Sequence, residues 1–471
     1  RNETISAAER EQFYLQGLCI AGSAPLWWLI TSDELASYPQ IAERLLSQRG
    51  LTQISLLDFG APSPVNAETL FHEASHTLKK ALDGDLLPLL DLVFLRHQLR
   101  QFPNIIALSQ CYKKRVEQGE SDSMRVEPAS LKLFEITRFG ASDEQRLARQ
   151  AFYFTCSERL SQQVKHPPFA WRRHSLQGLV NDWDWSIETL KYEDNRLYWD
   201  YNQRQQWWGM LLPELQQFFE DLQQFVSQHL SLDAATSELK AITRLLSLQS
   251  TENASVIEQL PVGLQTSEGP DQLFLYRFNE QTEWKLSSIA LTDPKQQGLK
   301  QHASLVYLLA WAVRNHILTP QSWLRVSDQH HQITIQLVLE LSQALLKSGL
   351  PMTQSVRSDR DLLQAEHAQQ FMLLANLHTH GVAPPSGQVQ MASLNNDPLS
   401  YTASRQNLVN SLDLLIFSNH GKWHHYHYQG SEAVTSALST LLNWQPDSQL
   451  VSPALCWCAT GFFGQSISRR I

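Results

Sequence analysis

Residues 152–162 read FYFTCSERLSQ, and residues 170–200 read AWRRHSLQGLVNDWDWSIETLKYEDNRLYWD. Leu176, Leu179, Val180 and Trp183 recur three and four apart, which predicts one amphipathic helix over 172–183 with its apolar face buried. Trp171, Trp183, Trp185 and Trp199 stand among Arg172, Arg173, Asp182, Asp184 and Arg196. Large aromatics beside Arg and Asp describe a dense packed core more readily than a reaction centre.

Outward from this stretch, residues 1–60 read as a helix, a short apolar strand over 26–30 and a second helix over 41–46. Residues 86–100 form an apolar helix with a polar edge. A helix over 213–230 starts at Pro213 and carries Leu215, Phe218, Phe219, Leu222, Phe225 and Val226 on one face. Between 232 and 270 the chain turns polar and loses its period, so a junction is placed there.

Beyond it, 273–278 and 284–289 alternate as two strands around a turn at 279–282. A helix over 303–318, a strand near Leu324, a helix over 335–346 and a strand over 371–376 follow. Residues 381–400 read as a loop, and 412–417 with 423–428 as paired strands. The expected class is α+β, mainly helical in the first half and mixed helix and sheet in the second. The expected organisation is a helical part over 1–235, a linker over 236–270 and a mixed part over 271–471.

A chain of 471 residues is long enough for two or more cores. Its 38 basic against 47 acidic residues give −9, which argues against a nucleic-acid footprint. Without an 18-residue apolar run or a signal-peptide order, neither a transmembrane segment nor export is expected. Five scattered cysteines (Cys19, Cys111, Cys156, Cys456, Cys458) outline no disulfide framework, which fits a reducing cytoplasm. Cys456 and Cys458 lack the second pair that a zinc ribbon needs. The opening RNETIS has no Met, as expected of a piece of a longer reading frame.

His72-Glu73-Ala74-Ser75-His76 is a literal H-E-x-x-H, which on a helix sets two imidazoles one turn apart around zinc with Glu as base. Lys79 stands where the extended motif needs Gly, and Asp91 or Glu117 would have to serve as third ligand. In Trp423-His424-His425-Tyr426-His427-Tyr428, strand geometry puts His425 and His427 on one face and His424 on the other. That pair lacks an evident third ligand, and a half-exposed strand accounts for it. His378 and His380 are left unassigned.

The opening stretch resembles the class I adenylate cyclases of gammaproteobacteria. That family carries F-Y-x-x-x-x-E-[KR]-L-S, then W-R-R-x-x-L-x-x-L-V-x-x-W-x-W, then D-N-R-x-x-W. The first is matched by Phe152, Tyr153, Glu158, Arg159, Leu160 and Ser161. The second is matched by Trp171, Arg172, Arg173, Leu176, Leu179, Val180, Trp183 and Trp185, the third by Asp194, Asn195, Arg196 and Trp199. Weaker likeness runs along nearly the whole chain. Two further signatures are thinned. Phe71, Ala74, Leu78 and Lys80 survive from the one that spans the H-E-x-x-H, where His72 and His76 replace the family's Gly and Trp. His427 and Gly430 survive from the other.

The resemblance implies cyclisation of ATP to cyclic AMP and pyrophosphate, with Mg2+ or Mn2+ held by carboxylates. In the family these come from a G-S turn followed by D-x-D on a nucleotidyltransferase-like palm. Gly22-Ser23 and Gly430-Ser431 have no D-x-D after them. Asp83-x-Asp85, Asp182-x-Asp184 and Asp359-x-Asp361 have no G-S before them. The catalytic motif is therefore expected upstream of Arg1, and this chain alone is expected to make no cyclic AMP and to bind no metal cofactor.

By the same resemblance residues 1–235 pack against the palm, and the later residues begin a regulatory half linked to the sugar phosphotransferase system. Arg172, Arg173 and Arg196 are candidate triphosphate contacts, because guanidinium matches phosphate geometry. Internal pairing with Asp182 or Asp194 is the competing fate of each. Two other functions compete: a palm-less binding relative without catalysis, and a zinc hydrolase using His72, Glu73 and His76.

Overall fold

The computed structural model describes residues 7–16, 23–47, 55–62, 65–85, 87–105, 107–120, 122–140, 142–163, 169–249, 254–265, 269–278, 283–330, 333–347, 362–377, 409–445 and 453–458. The expected turn at 279–282, the loop at 381–400, His378, His380 and the Asp359–Asp361 pair lie outside the described residues. The chain divides into two compact units, residues 1–199 with 211–236 and residues 200–210 with 237–471.

The first unit opens with α1 (Ala7–Gln16), strand β1 (Ser23–Pro25), α2 (Tyr38–Ser47) and β2 (Ser55–Leu57), which pairs parallel with β1. The strand expected over 26–30 is instead a 3-10 turn, Leu26–Leu29. A short apolar run does not distinguish strand from buried turn. Here Trp27 decides it, fully buried and stacked on Tyr14 with ring centroids 4.4 Å apart.

Then come α3 (Ala67–Leu82), α4 (Leu89–Gln101), α5 (Leu108–Glu117), α6 (Pro128–Phe139), α7 (Ser142–Cys156), α8 (Ala170–Asp182) and α9 (Ile187–Asp194). Helix α4 packs against α3, α6 and α7 and is buried on nearly every side. Burial on all sides makes its charge expensive. Arg96 on α4 meets Asp221 at 2.7 Å, Glu214 at 3.1 Å and Glu144 at 3.6 Å, while Arg100 bonds Asp221 and Glu144 as well.

Asp221 and Glu214 come from α10 (Tyr201–His229), which is followed by α11 (Leu232–Gln249). Residues 201–210 and 237–249 of these helices belong to the second unit. The expectation that α10 starts at Pro213 is corrected, because Pro213 lies inside the helix. The start is set by Asp200, whose carboxylate accepts from Gln203 N at 2.8 Å while Gln203 accepts from Asp200 N at 3.0 Å. Pro213 forgoes one backbone bond. Burial of Trp207, Trp208 and Leu211 before it and of Leu215 and Phe218 after it offsets that loss.

In the second unit, β3 (Gln272–Arg277), β4 (Trp284–Ser287) and β5 (Lys300–His302) form a sheet with β6 (Trp323–Asp328), in the order β5-β4-β3-β6. Strands β3 and β4 run antiparallel, whereas β3 and β6 run parallel. Between β5 and β6 lies α12 (Leu305–Arg314), capped by Ser304 and buried along its whole length, and α13 (Ile335–Lys347) packs on it. A second sheet has the order β10-β7-β8-β9, built from β7 (Ala368–Ala375), β8 (Ser411–Ser418), β9 (Trp423–Gln429) and β10 (Pro453–Cys458). Helix α14 (Ala433–Asn443) covers β8 and β9.

The stretch expected as a linker holds α11 and then an extended segment that pairs with β9. Ile257 N donates to Trp423 O at 2.8 Å, and His425 N donates to Ser255 O at 2.7 Å. Its apolar residues Ile257, Leu260 and Leu264 are buried but stand among polar residues and the turn formers Pro261 and Gly263, which is why the sequence read as a junction.

Arg96→Met is expected to lower the unfolding free energy by about 3 kcal/mol, because it strands carboxylates inside the first unit. Urea denaturation measures it, and unchanged stability would show that the network contributes nothing.

Candidate functional site

The quoted stretch folds into one knot in the first unit. Helix α7 ends on Phe152, Tyr153 and Cys156, all buried, and leaves through Ser157 at φ 55°. Tyr153 donates its hydroxyl to Asp194 Oδ1 at 2.6 Å and accepts from Leu160 N at 3.1 Å. Ser161 N donates to Asp194 Oδ2 at 2.8 Å. The F-Y, E-R-L-S and D-N-R pieces are thus tied at one buried carboxylate. Trp183 and Trp185 pack edge-on against Phe152 and Tyr153, with centroids 6.1 and 5.4 Å apart.

The three candidate arginines have internal partners other than Asp182 and Asp194. Arg172 meets Glu127 at 2.9 Å. Arg173 donates to the carbonyls of Arg159, Leu160 and Gln162 at 3.0, 3.2 and 2.6 Å and lies 3.5 Å from Glu158. Arg196 meets Glu193 at 2.6 Å with both side chains buried. Burial raises the Glu193 carboxyl against the pull of Arg196, and burial also lowers the Arg196 guanidinium. A cleft of about 280 Å³ opens beside the knot, lined by Glu158, Arg159, Glu193, Asp194, Arg196 and Leu197 among others. Burial pushes the nearby Cys156 thiol up to about 12, so it offers no nucleophile.

The H-E-x-x-H lies on α3, as its flanks predict. Phe71, Ala74, Ser75 and Leu78 face the core while His72, Glu73 and His76 are exposed. Asp91 pairs with Lys132 at 2.6 Å, and Glu117 accepts from Ser32 N at 3.0 Å. Asp83 closes the end of α3, Asp85 accepts from Leu87 N, and Asp182 with Asp184 is exposed. Among the described residues no group of three or more His, Cys, Asp or Glu is arranged to hold a metal ion.

Strand β9 separates its histidines as its alternation predicts, although its first half is buried rather than half-exposed. On one face Asp413 Oδ1 lies 2.8 Å from His425 Nε2 and 2.9 Å from His427 Nδ1. On the other, His424 Nε2 lies 3.2 Å from Glu366 Oε1. Ser304 Oγ is 3.4 Å from His425 Nε2, the same nitrogen that faces Asp413. A Ser-His-Asp relay needs opposite ring nitrogens, so no relay forms. The sequence reading missed Glu366 because it lies 58 residues before His424, just ahead of β7, and missed Asp413 because the strand pairing was read without its register, which sets Asp413 opposite His427.

Comparison with known proteins adds three findings. Residues 65–260 match the family model described as adenylate cyclase, class-I, second domain, and residues 356–470 match its fourth domain. Adenylate cyclases of Escherichia coli K12 and Yersinia intermedia are each 26% identical over 450 and 458 residues, covering 92% of this chain and 52% of theirs. That of Proteus mirabilis is 25% identical over 451 residues, covering 92% of this chain and 51% of its own. The chain thus spans about half the length of the curated relatives it matches. No solved structure matches it significantly.

The Asp413 cluster has two opposed titrations. Burial raises the Asp413 carboxyl, but hydrogen bonds from His425 and His427 outweigh it and hold the group near about 2, below the ordinary 3.8. Its contribution to stability is present above 3.8 and is lost as pH falls toward 2. The hydrogen bond to Asp413 raises His427 above 6.5, so its contribution is complete below 6.5 and is lost as pH rises through the folded value. NMR titration is expected to place the His427 midpoint above 6.5, and Asp413→Asn is expected to lower it. An unmoved midpoint in that variant would break the assignment.

Proposed function

This chain belongs to the class I adenylate cyclase family, and from that premise we propose that it works as part of an enzyme converting ATP to cyclic AMP and pyrophosphate. The carrying observation is that two domain models of one family match in chain order, with relatives aligned over 92% of the chain. The knot around Asp194 supports the same reading. It joins all three pieces of the family-like stretch, so their spacing is a packing requirement of the fold.

The divalent ion such a reaction uses, Mg2+ or Mn2+, does not fit the described acids. Those near the knot are committed to Arg173, Arg196, Tyr153 and Ser161 N, and the two described D-x-D pairs, at Asp83 and Asp182, sit at helix ends or in solvent. In this reading the metal-binding carboxylates lie in another part of the enzyme, and residues 1–235 form the helical part beside them. Residues from 271 onward form the part that receives regulation, for which the sugar phosphotransferase system is the proposed partner. Among the described residues no helix is long and apolar enough to cross a membrane. A cytoplasmic enzyme acting on ATP is the corresponding proposal.

The test compares the native gene product that contains these residues with the 471-residue chain, each assayed for cyclic AMP from ATP with Mg2+ or Mn2+. Cyclic AMP is expected from the native product and none from the chain alone. Turnover by the chain alone would refute the placement of the metal site elsewhere. No turnover by either would replace the enzyme reading with that of a palm-less binding relative.

A further inference from the structure

The signature stretch carries a fourth arginine whose situation differs from that of the other three. Arg159 lines the cleft of the first unit, and its guanidinium has no hydrogen bond or ion pair among the described residues. Its carbon centre stands 5.2 Å from the ring centroid of Tyr198, a residue 71% exposed. A guanidinium lying over a ring keeps its N–H edge available, and that edge matches two oxygens of a phosphate. We propose that Arg159 is the contact for the phosphoryl oxyanion of a ligand entering this cleft.

Position and charge both support this. The Arg159 carbonyl accepts from Arg173, and the next amide, Leu160 N, donates to Tyr153. The backbone that carries the side chain is therefore fixed before any ligand arrives, which reduces the ordering cost of binding. Carboxylates line the same cleft, yet each is already committed. Glu158 is offset by Arg173 and Glu193 by Arg196, and Asp194 is buried with both oxygens bonded. Arg159 is thus the cation left over at this cleft among the described residues.

The proposal stands on the cleft and rests on the cyclase reading only in taking a nucleotide as one source of the phosphate. Free pyrophosphate is the other. Calorimetric titration of the 471-residue chain with ATP, and separately with pyrophosphate, tests it. Both are expected to bind, and Arg159→Gln is expected to weaken binding by about tenfold. Arg159→Lys is expected to fall between, because ammonium keeps the charge without the fork. Thermal melting of both variants is expected to match the parent, since no internal ion pair is lost.

Equal losses for both probes assign the shared phosphoryl group, and a loss confined to one probe assigns that source. Failure of the parent chain to bind either, or undiminished binding by Arg159→Gln, overturns the proposal. In the native gene product, Arg159→Gln is expected to raise KM for ATP about tenfold with kcat little changed. If the native product makes no cyclic AMP, the cyclase reading falls while the binding titration still decides the role of Arg159.

Discussion

A carboxylate taken out of water must find donors for both oxygens, and Asp194 finds them in Tyr153 and in Ser161 N. The two donors lie on either side of the turn that follows α7, so one buried group fixes how α7 ends and where α9 ends against it. Arg173 completes the arrangement from α8 by donating to the carbonyls of Arg159, Leu160 and Gln162 in the segment that follows α7. Trp183 and Trp185 then close over Phe152 and Tyr153. Their packing adds apolar burial around hydrogen bonds that would be weaker in water.

Buried charge recurs among the described residues of the first unit and is matched by ion pairs on α4 and α9. Arg96 and Arg100 share Glu144 and Asp221, and Arg196 takes Glu193. Such pairs add little net stability over apolar replacements of similar volume, but breaking one side is costly. Lys113 shows the cost directly. It is buried against Trp27 and bonded to its carbonyl, and burial lowers its ammonium to about 8 despite Glu117 and Glu34 nearby.

The second unit solves a similar problem with imidazole. Strand β9 presents histidines to both faces of its sheet, and each face supplies one carboxylate, Asp413 or Glu366. Burial raises the Glu366 carboxyl, but His424 and Ser418 together draw it to about 2. Neutral or charged, an imidazole between a carboxylate and a packed ring keeps its hydrogen bond. Each of these three histidines thus has a carboxylate partner within the fold.

Much of this was legible in the residues. The helices over 172–183 and 335–346, the paired strands near 412 and 423 and the face-splitting of His424 from His425 follow from period alone. Other features were written locally but read wrongly, such as the D-x-x-Q box at Asp200 and Gln203 that starts α10. By itself the sequence determined the α+β class, the elements with strong period and, through rare residues in register, the family. The tertiary structure alone decided the partners of the charges: Glu127, Glu158 and Glu193 for three arginines, Tyr198 for the fourth, and Asp413 for two histidines. Periodicity tells which face of an element is buried, but a charge is paired by whatever group folding brings within about 3 Å, and chain separation carries no record of that distance.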